Sequence, residues 1–124
     1  MANPLKPKDP EGVLTIRMPN RLSEKKAIEL SNQVDDALKN GYRSVFLHLE
    51  DLKLISAPEK LFLVNSMSSA IRNDKLLIPY GYQFTEYQPK EKTLDMLLFK
   101  GSEHNVHYSD NRKAAIDYFK SYYR

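Results

Sequence analysis

The stretch from Ser44 to Pro58 restricts the fold more than any other part of the chain. Ser44-Val45-Phe46-Leu47-His48-Leu49 is short, apolar on both alternations and rich in β-formers. That is the pattern of a strand buried on both faces. Glu50-Asp51-Leu52-Lys53-Leu54-Ile55 follows as a tight connector with further apolar anchors. Ser56-Ala57-Pro58-Glu59 then begins a helix: Ser56 or Ala57 lies near the cap, Pro58 in the first turn, and Glu59 at the positive end of the helix dipole.

The same strand-then-helix rhythm extends over the rest of the chain. Pro4, Pro7 and Pro10 among polar residues predict an extended arm over residues 1–11, leaving a single domain over 12–124. A strand is expected over Val13–Met18, then a helix over Glu24–Asn40 with Ser23 as N-cap. Ala27, Leu30, Val34 and Leu38 form its apolar stripe, and Gly41 sits at C′. After the central strand a helix is expected over Glu59–Asn73, then a strand over Lys75–Tyr80 and an aromatic loop over Gly81–Lys90. A short helix runs from about Glu91 to Gly101, and Val106 and Tyr108 mark a fourth strand. Ser109 or Asp110 caps a last helix carrying Ala114, Ala115, Tyr118, Phe119 and Tyr122. This order predicts an α/β fold: an open, mostly parallel sheet of about four strands with four helices.

Composition narrows the functional classes. No apolar run is long enough for a spanning helix, so no membrane insertion is expected. Lys6 and Lys8 are not followed by an apolar stretch, which predicts no secretory signal and a cytoplasmic location. The chain has no cysteine, which removes disulfides and thiolate metal ligands. Its net charge is only +3, and its lysines and arginines are scattered rather than stacked on one element. That argues against a nucleic-acid partner.

Nor do the reactive residue types converge. There is no cysteine nucleophile, glycine-rich phosphate loop or Gly-x-Ser-x-Gly elbow. His104 and His107 are three apart near a strand and face opposite sides, a poor metal pair. His48 reads as a core histidine, and Glu50-Asp51 as turn and cap residues. The expectation is a protein without enzymatic activity, cofactor or metal.

Binding residues are better represented. Along the Glu59–Asn73 helix, Leu63, Val64, Met67, Ala70 and Ile71 form the expected core stripe. Phe62 falls with Ser66, Ser69 and Asn73 on the other face, as a candidate contact residue. Tyr80, Tyr82, Phe84 and Tyr87 alternate within one stretch, either as an aromatic interface or as the cover of a sheet edge.

The turn between the central strand and its helix resembles the signature of STAS domains, the anti-sigma-factor-antagonist family. In phosphorylatable members this turn reads Phe-Ile-Asp-Ser-Ser/Thr-Gly-Leu. Leu54-Ile55 match Phe-Ile, Ser56 falls on the Asp, Ala57 on the first Ser, Pro58 on the phosphoacceptor and Glu59 on the Gly. Arg21-Leu22-Ser23, the leucine-rich stretch Leu94–Gly101 and Val106–Asp110 with Ala114-Ala115 resemble further stations, so the likeness covers roughly Gly12 to Tyr122. It implies a STAS-like sheet whose partner-binding surface comprises Ser56, Ala57, Pro58, Glu59 and Phe62. The implied partner is an anti-sigma kinase or a phosphatase. Pro58 has no hydroxyl, so the usual phosphorylation switch is lost; Ser56 is a substitute acceptor only if the turn shifts by two residues. Glu59 offers a fixed negative charge beside the lost site. The alternative implied by the same family is an accessory subunit bracing a transporter ATPase, which needs no acceptor.

Overall fold

Alternation along the strands decides which side of the sheet meets which helix. The computed structural model describes residues 10–97 and 103–123. Most of the Pro-rich arm, and the end of the helix expected to stop at Gly101, lie outside the described residues. Strands β1 (Val13–Arg17), β2 (Ser44–His48) and β3 (Leu76–Tyr80) form one parallel sheet in that order. Val45, Leu47 and Leu77 face one side, where they join Ile16 and the apolar stripes of α1 (Glu24–Lys39) and α2 (Ala57–Asn73) in one core. Phe46, Leu76, Ile78 and Tyr80 face the other side and pack with Val13 against Ala115, Ile116 and Phe119 of the last helix. With α3 (Lys90–Leu97) and α4 (Arg112–Tyr122) the described residues form an α/β fold with four helices. Both alternations of β2 are apolar because both faces are covered.

Among the described residues the sheet has three strands, not four, and Pro79 supplies the reason. Residues 105–109 do run alongside β3 in parallel, bridging Leu77 to Val106 and Tyr80 to Ser109. The Leu77 N–H donates to the Asn105 carbonyl (2.7 Å), and the Leu77 carbonyl accepts from the His107 N–H (3.0 Å). Further along, the Pro79 carbonyl accepts from Ser109 N–H (3.0 Å), and Gly81 N–H donates to the Ser109 carbonyl (3.3 Å). The rung between them needs an N–H at position 79, and proline has none. The expected strand around Val106 and Tyr108 is therefore an interrupted edge segment.

Local signals set most helix ends. The Ser23 hydroxyl accepts the Lys26 N–H (3.1 Å) at the start of α1. Gly41 follows the helix at a φ of 105°, open to glycine and closed to most other residues. At α4 the cap is Asn111, whose side chain accepts the Ala114 N–H (2.9 Å), rather than Ser109 or Asp110.

The expectation for α2 is corrected. Phe62 is 0 % exposed, and Ser66 and Ser69, assigned with it to a polar outer face, are buried too. Ile71, assigned to the core, is exposed. The helix packs on both the sheet and α1, so its buried arc is turned towards α1. The serines suit that contact because their hydroxyls are satisfied within it. Ser66 donates to the Phe62 carbonyl (2.8 Å), and Ser69 donates to the Asp35 carboxylate of α1 (2.6 Å). Asp35 also meets Lys39 (2.8 Å) and Arg72 (2.9 Å). Lys39, then Ser69 and Arg72, hold its carboxyl far below the usual carboxylate range. Among the described residues no helix is long and apolar enough to cross a membrane.

Candidate protein-docking site

Three turns meet at the carboxyl ends of the strands, and two side chains fasten them together. The first is Glu59, at the third position of α2. Its Oε1 accepts the Ser56 N–H (2.9 Å) and the Ser56 hydroxyl, which closes the helix start. Its Oε2 accepts the Leu22 N–H (2.7 Å) from the turn before α1. Glu59 as a residue is only 2 % exposed. Burial is the largest influence on it and pushes its pKa up. The hydrogen bonds from the Ser56 hydroxyl and the backbone amides together outweigh burial, so the net shift is downward. Glu59 is thus an ionised brace inside the fold. It does not present a surface charge to a partner, which corrects its expected place in the contact surface.

The second fastener is Gln88. Its Oε1 accepts the Ile55 N–H (3.0 Å) and its Nε2 donates to the Ile55 carbonyl (2.9 Å). The Tyr82 hydroxyl also donates to Oε1. Gln88 itself sits in a tight turn, its N–H on the Thr85 hydroxyl and its carbonyl accepting the Thr85 N–H. One amide therefore holds the 85–88 turn against the 54–56 turn. Gln88→Ala leaves both Ile55 backbone groups without this partner. The expected cost is about 1–3 kcal/mol, with faster amide exchange at Ile55 and Thr85. Unchanged exchange there would show that the clamp does not hold the turns.

These fasteners determine which apolar groups face outward. Leu54 is 50 % exposed and Leu61 37 % exposed, and Ala57 and Ile28 are exposed as well. Ala57, Pro58, Leu61 and Glu24 line a cleft of about 320 Å³ between the starts of α1 and α2. Tyr87, next to Gln88, is 90 % exposed. The structure thus joins parts of two separately expected surfaces, the 56–62 turn and the aromatic stretch, at one corner.

Not every expected residue belongs to it. Ser56 and Ala57 are exposed and Pro58 half-buried, but Phe62 lies in the core. Leu61, one residue earlier, takes the outward position. Tyr80 is fully buried, stacked on His48 at 5.2 Å and edge-on to Phe46 at 6.3 Å. Tyr82 is buried and Phe84 half-buried, packed together with Tyr108. Of the four aromatics only Tyr87 is exposed; Tyr80 lies within β3, Tyr82 belongs to the main core and Phe84 packs against it. Gln88 and Leu61 were missed. The interval from Ala57 to Leu61 to Val64 was the available signal for Leu61, whereas Gln88 has none in its local sequence.

Two of the three histidines, His48 and His107, have aromatic or acidic neighbours, and His104 is exposed. His48 Nε2 lies 3.2 Å from Glu50 Oε2, and His107 stacks on Tyr118 at 3.6 Å, where burial lowers its pKa. Among the described residues there is no group of three His, Asp or Glu placed to hold a metal. No family model matches the chain, and neither the curated proteins nor the solved structures contain a match.

Proposed function

We propose that this chain is a non-enzymatic, cytoplasmic protein-binding module of the anti-sigma-factor-antagonist (STAS) type, with a turn that does not accept phosphate at the usual position. The observation that supports the reading is the corner itself. Glu59 and Gln88 hold three turns in register, and Leu54, Ala57, Pro58, Leu61 and Tyr87 are displayed on the outside. Apolar groups on a braced surface lose little freedom when a partner covers them, which favours affinity. The polar groups of the turn are used up internally: the Ser56 hydroxyl and the Glu59 carboxylate are bonded to each other. That is the arrangement of a docking surface rather than of a reacting centre. Phosphate on Ser56 would set roughly two negative charges against the Glu59 carboxylate, so Ser56 is expected to remain unmodified.

Affinity capture of the tagged chain from its native cells, beside a Leu61→Asp variant, tests this function. Leu61 is already partly exposed, so the variant is expected to keep its stability within about 0.5 kcal/mol while losing the partner. Recovery of an anti-sigma kinase or a serine phosphatase, lost with Leu61→Asp, is the expected result. A transporter ATPase recovered in the same way would assign the accessory-subunit role instead. Partners that bind the variant as well as the parent would contradict docking at this corner, and stoichiometric phosphate on Ser56 would contradict the dead switch.

A further inference from the structure

The outer face of α2 continues the apolar corner along the whole helix. Ala57, Leu61, Val64, Ser68 and Ile71 follow one another at intervals of four, three, four and three residues. That is the spacing of a coiled-coil seam, with the small Ala57 and Ser68 as gaps between the larger Leu61, Val64 and Ile71. Ala57, Leu61 and Ile71 are exposed and Val64 and Ser68 are half-buried. The seam rises over roughly 21 Å. The fold uses it only in part: Val64 packs half-buried against the main core, while the buried arc of α2 is formed by Phe62, Leu63, Ser66, Met67, Ser69 and Ala70.

Within α2 the exposed charge is one-sided. The only carboxylate within α2 is Glu59, which is buried; the other charged side chains are Lys60 and Arg72. Arg72 is paired with Asp35 of α1. The neighbouring turns add Arg21 and Lys53, drawn together where the Lys53 N–H donates to the Asn20 carbonyl (3.4 Å), and α1 adds Lys25. Among the described residues none of Arg21, Lys25, Lys53 and Lys60 has a carboxylate within 4.0 Å. Three carboxylates lie close by: Glu24 lines the cleft, Asp51 interacts with Lys53, and Asp74 caps the far end of α2.

From the seam and its rim we infer that α2 receives an amphipathic helix of the partner protein, one with an apolar stripe of heptad spacing flanked by aspartate and glutamate. Complementary charge at the rim sets the speed and selectivity of such an encounter, and the apolar stripe supplies the contact. A second copy of this chain fits poorly. Two α2 faces set parallel bring Lys60 against Lys60, and set antiparallel bring Lys60 towards Arg72. The inference rests on the docking reading above and adds the chemistry of the occupant.

The test uses the full chain and a synthetic amphipathic peptide of about three heptads, with leucine along the stripe and glutamate on both flanks. A twin peptide carries lysine in place of glutamate. Fluorescence anisotropy is expected to show the glutamate peptide binding at least about tenfold tighter than its twin, with the preference shrinking as salt rises. Leu61→Asp and Ile71→Asp, each checked for native circular dichroism, should both abolish binding, and Lys60→Glu should reduce the preference. Equal binding of the two peptides, or no binding of either, overturns the inference. So does concentration-dependent dimerisation that Leu61→Asp removes, because a second copy would then be the occupant. A cellular partner that needs Leu61 but contacts it with a strand or loop overturns this inference and leaves the docking function standing.

Discussion

Phe62→Ala will lower the free energy of unfolding by about 3–5 kcal/mol, and Phe62→Asp will prevent folding. The ring is wholly buried within the core that joins the sheet to α1 and α2. Its removal loses the burial of the side chain and leaves a void that the neighbouring helices fill only in part. An aspartate there would bury a charge with no cation given to it. Against a total stability of about 5–15 kcal/mol for a domain of ordinary size, even the alanine variant should shift the urea midpoint by a large fraction. Leu61→Asp, one residue earlier, is expected to leave that midpoint almost unmoved. The pair therefore separates core from surface along a single turn of helix. An unshifted midpoint for Phe62→Ala would mean that α2 is rotated from the arrangement described.

Glu59→Ala is expected to cost about 2–4 kcal/mol, because it leaves the Leu22 and Ser56 amides without their buried acceptor. The same carboxylate makes stability depend on acid. Its folded pKa lies below the ordinary value of 4.5. The unfolded chain therefore binds the proton more readily than the folded one. The contribution is fully present above that ordinary value and is lost as pH falls through it and then through the lower folded value. Asp35, also depressed, acts in the same direction. Glu59→Gln keeps the shape but cannot carry the charge, and its amide group sets a donor against donors. Urea unfolding at neutral and at acid pH should show the Gln variant weaker at neutral pH, by about 1–3 kcal/mol. The two proteins should converge in acid. An equal acid loss in both would remove Glu59 from this role.

How much of this was legible depended on range. The α1 stripe of Ala27, Leu30, Val34 and Leu38, the Ser23 cap, Gly41 and the doubly buried β2 all rest on residues a few positions apart, and periodicity captured them. The interrupted fourth strand turned on one missing N–H at Pro79, visible in sequence only once the strand is known to have a neighbour on that side. Phe62 was misplaced because Ser66 and Ser69 look polar, although their hydroxyls bond to the Phe62 carbonyl and to Asp35 and so enter the interface between helices. Tyr80, Tyr82, Phe84 and Tyr87 stayed open between display and cover because aromatic alternation is shared by interfaces and covered sheet ends; the burial of Tyr80 and Tyr82 and the exposure of Tyr87 divide them. The joining of the 54–56 and 85–88 turns depends on Gln88 meeting Ile55, 33 residues away, and no local pattern encodes that contact.

The docking corner is tested most directly by site-specific photo-crosslinking in native cells, with a benzophenone amino acid placed in turn at Leu61, Tyr87 and Lys113. Lys113 is an exposed position on α4, which packs against the other face of the sheet. Docking at this corner predicts the same partner adduct from positions 61 and 87 and none from 113. An adduct from 113 alone, or from all three positions alike, would contradict it.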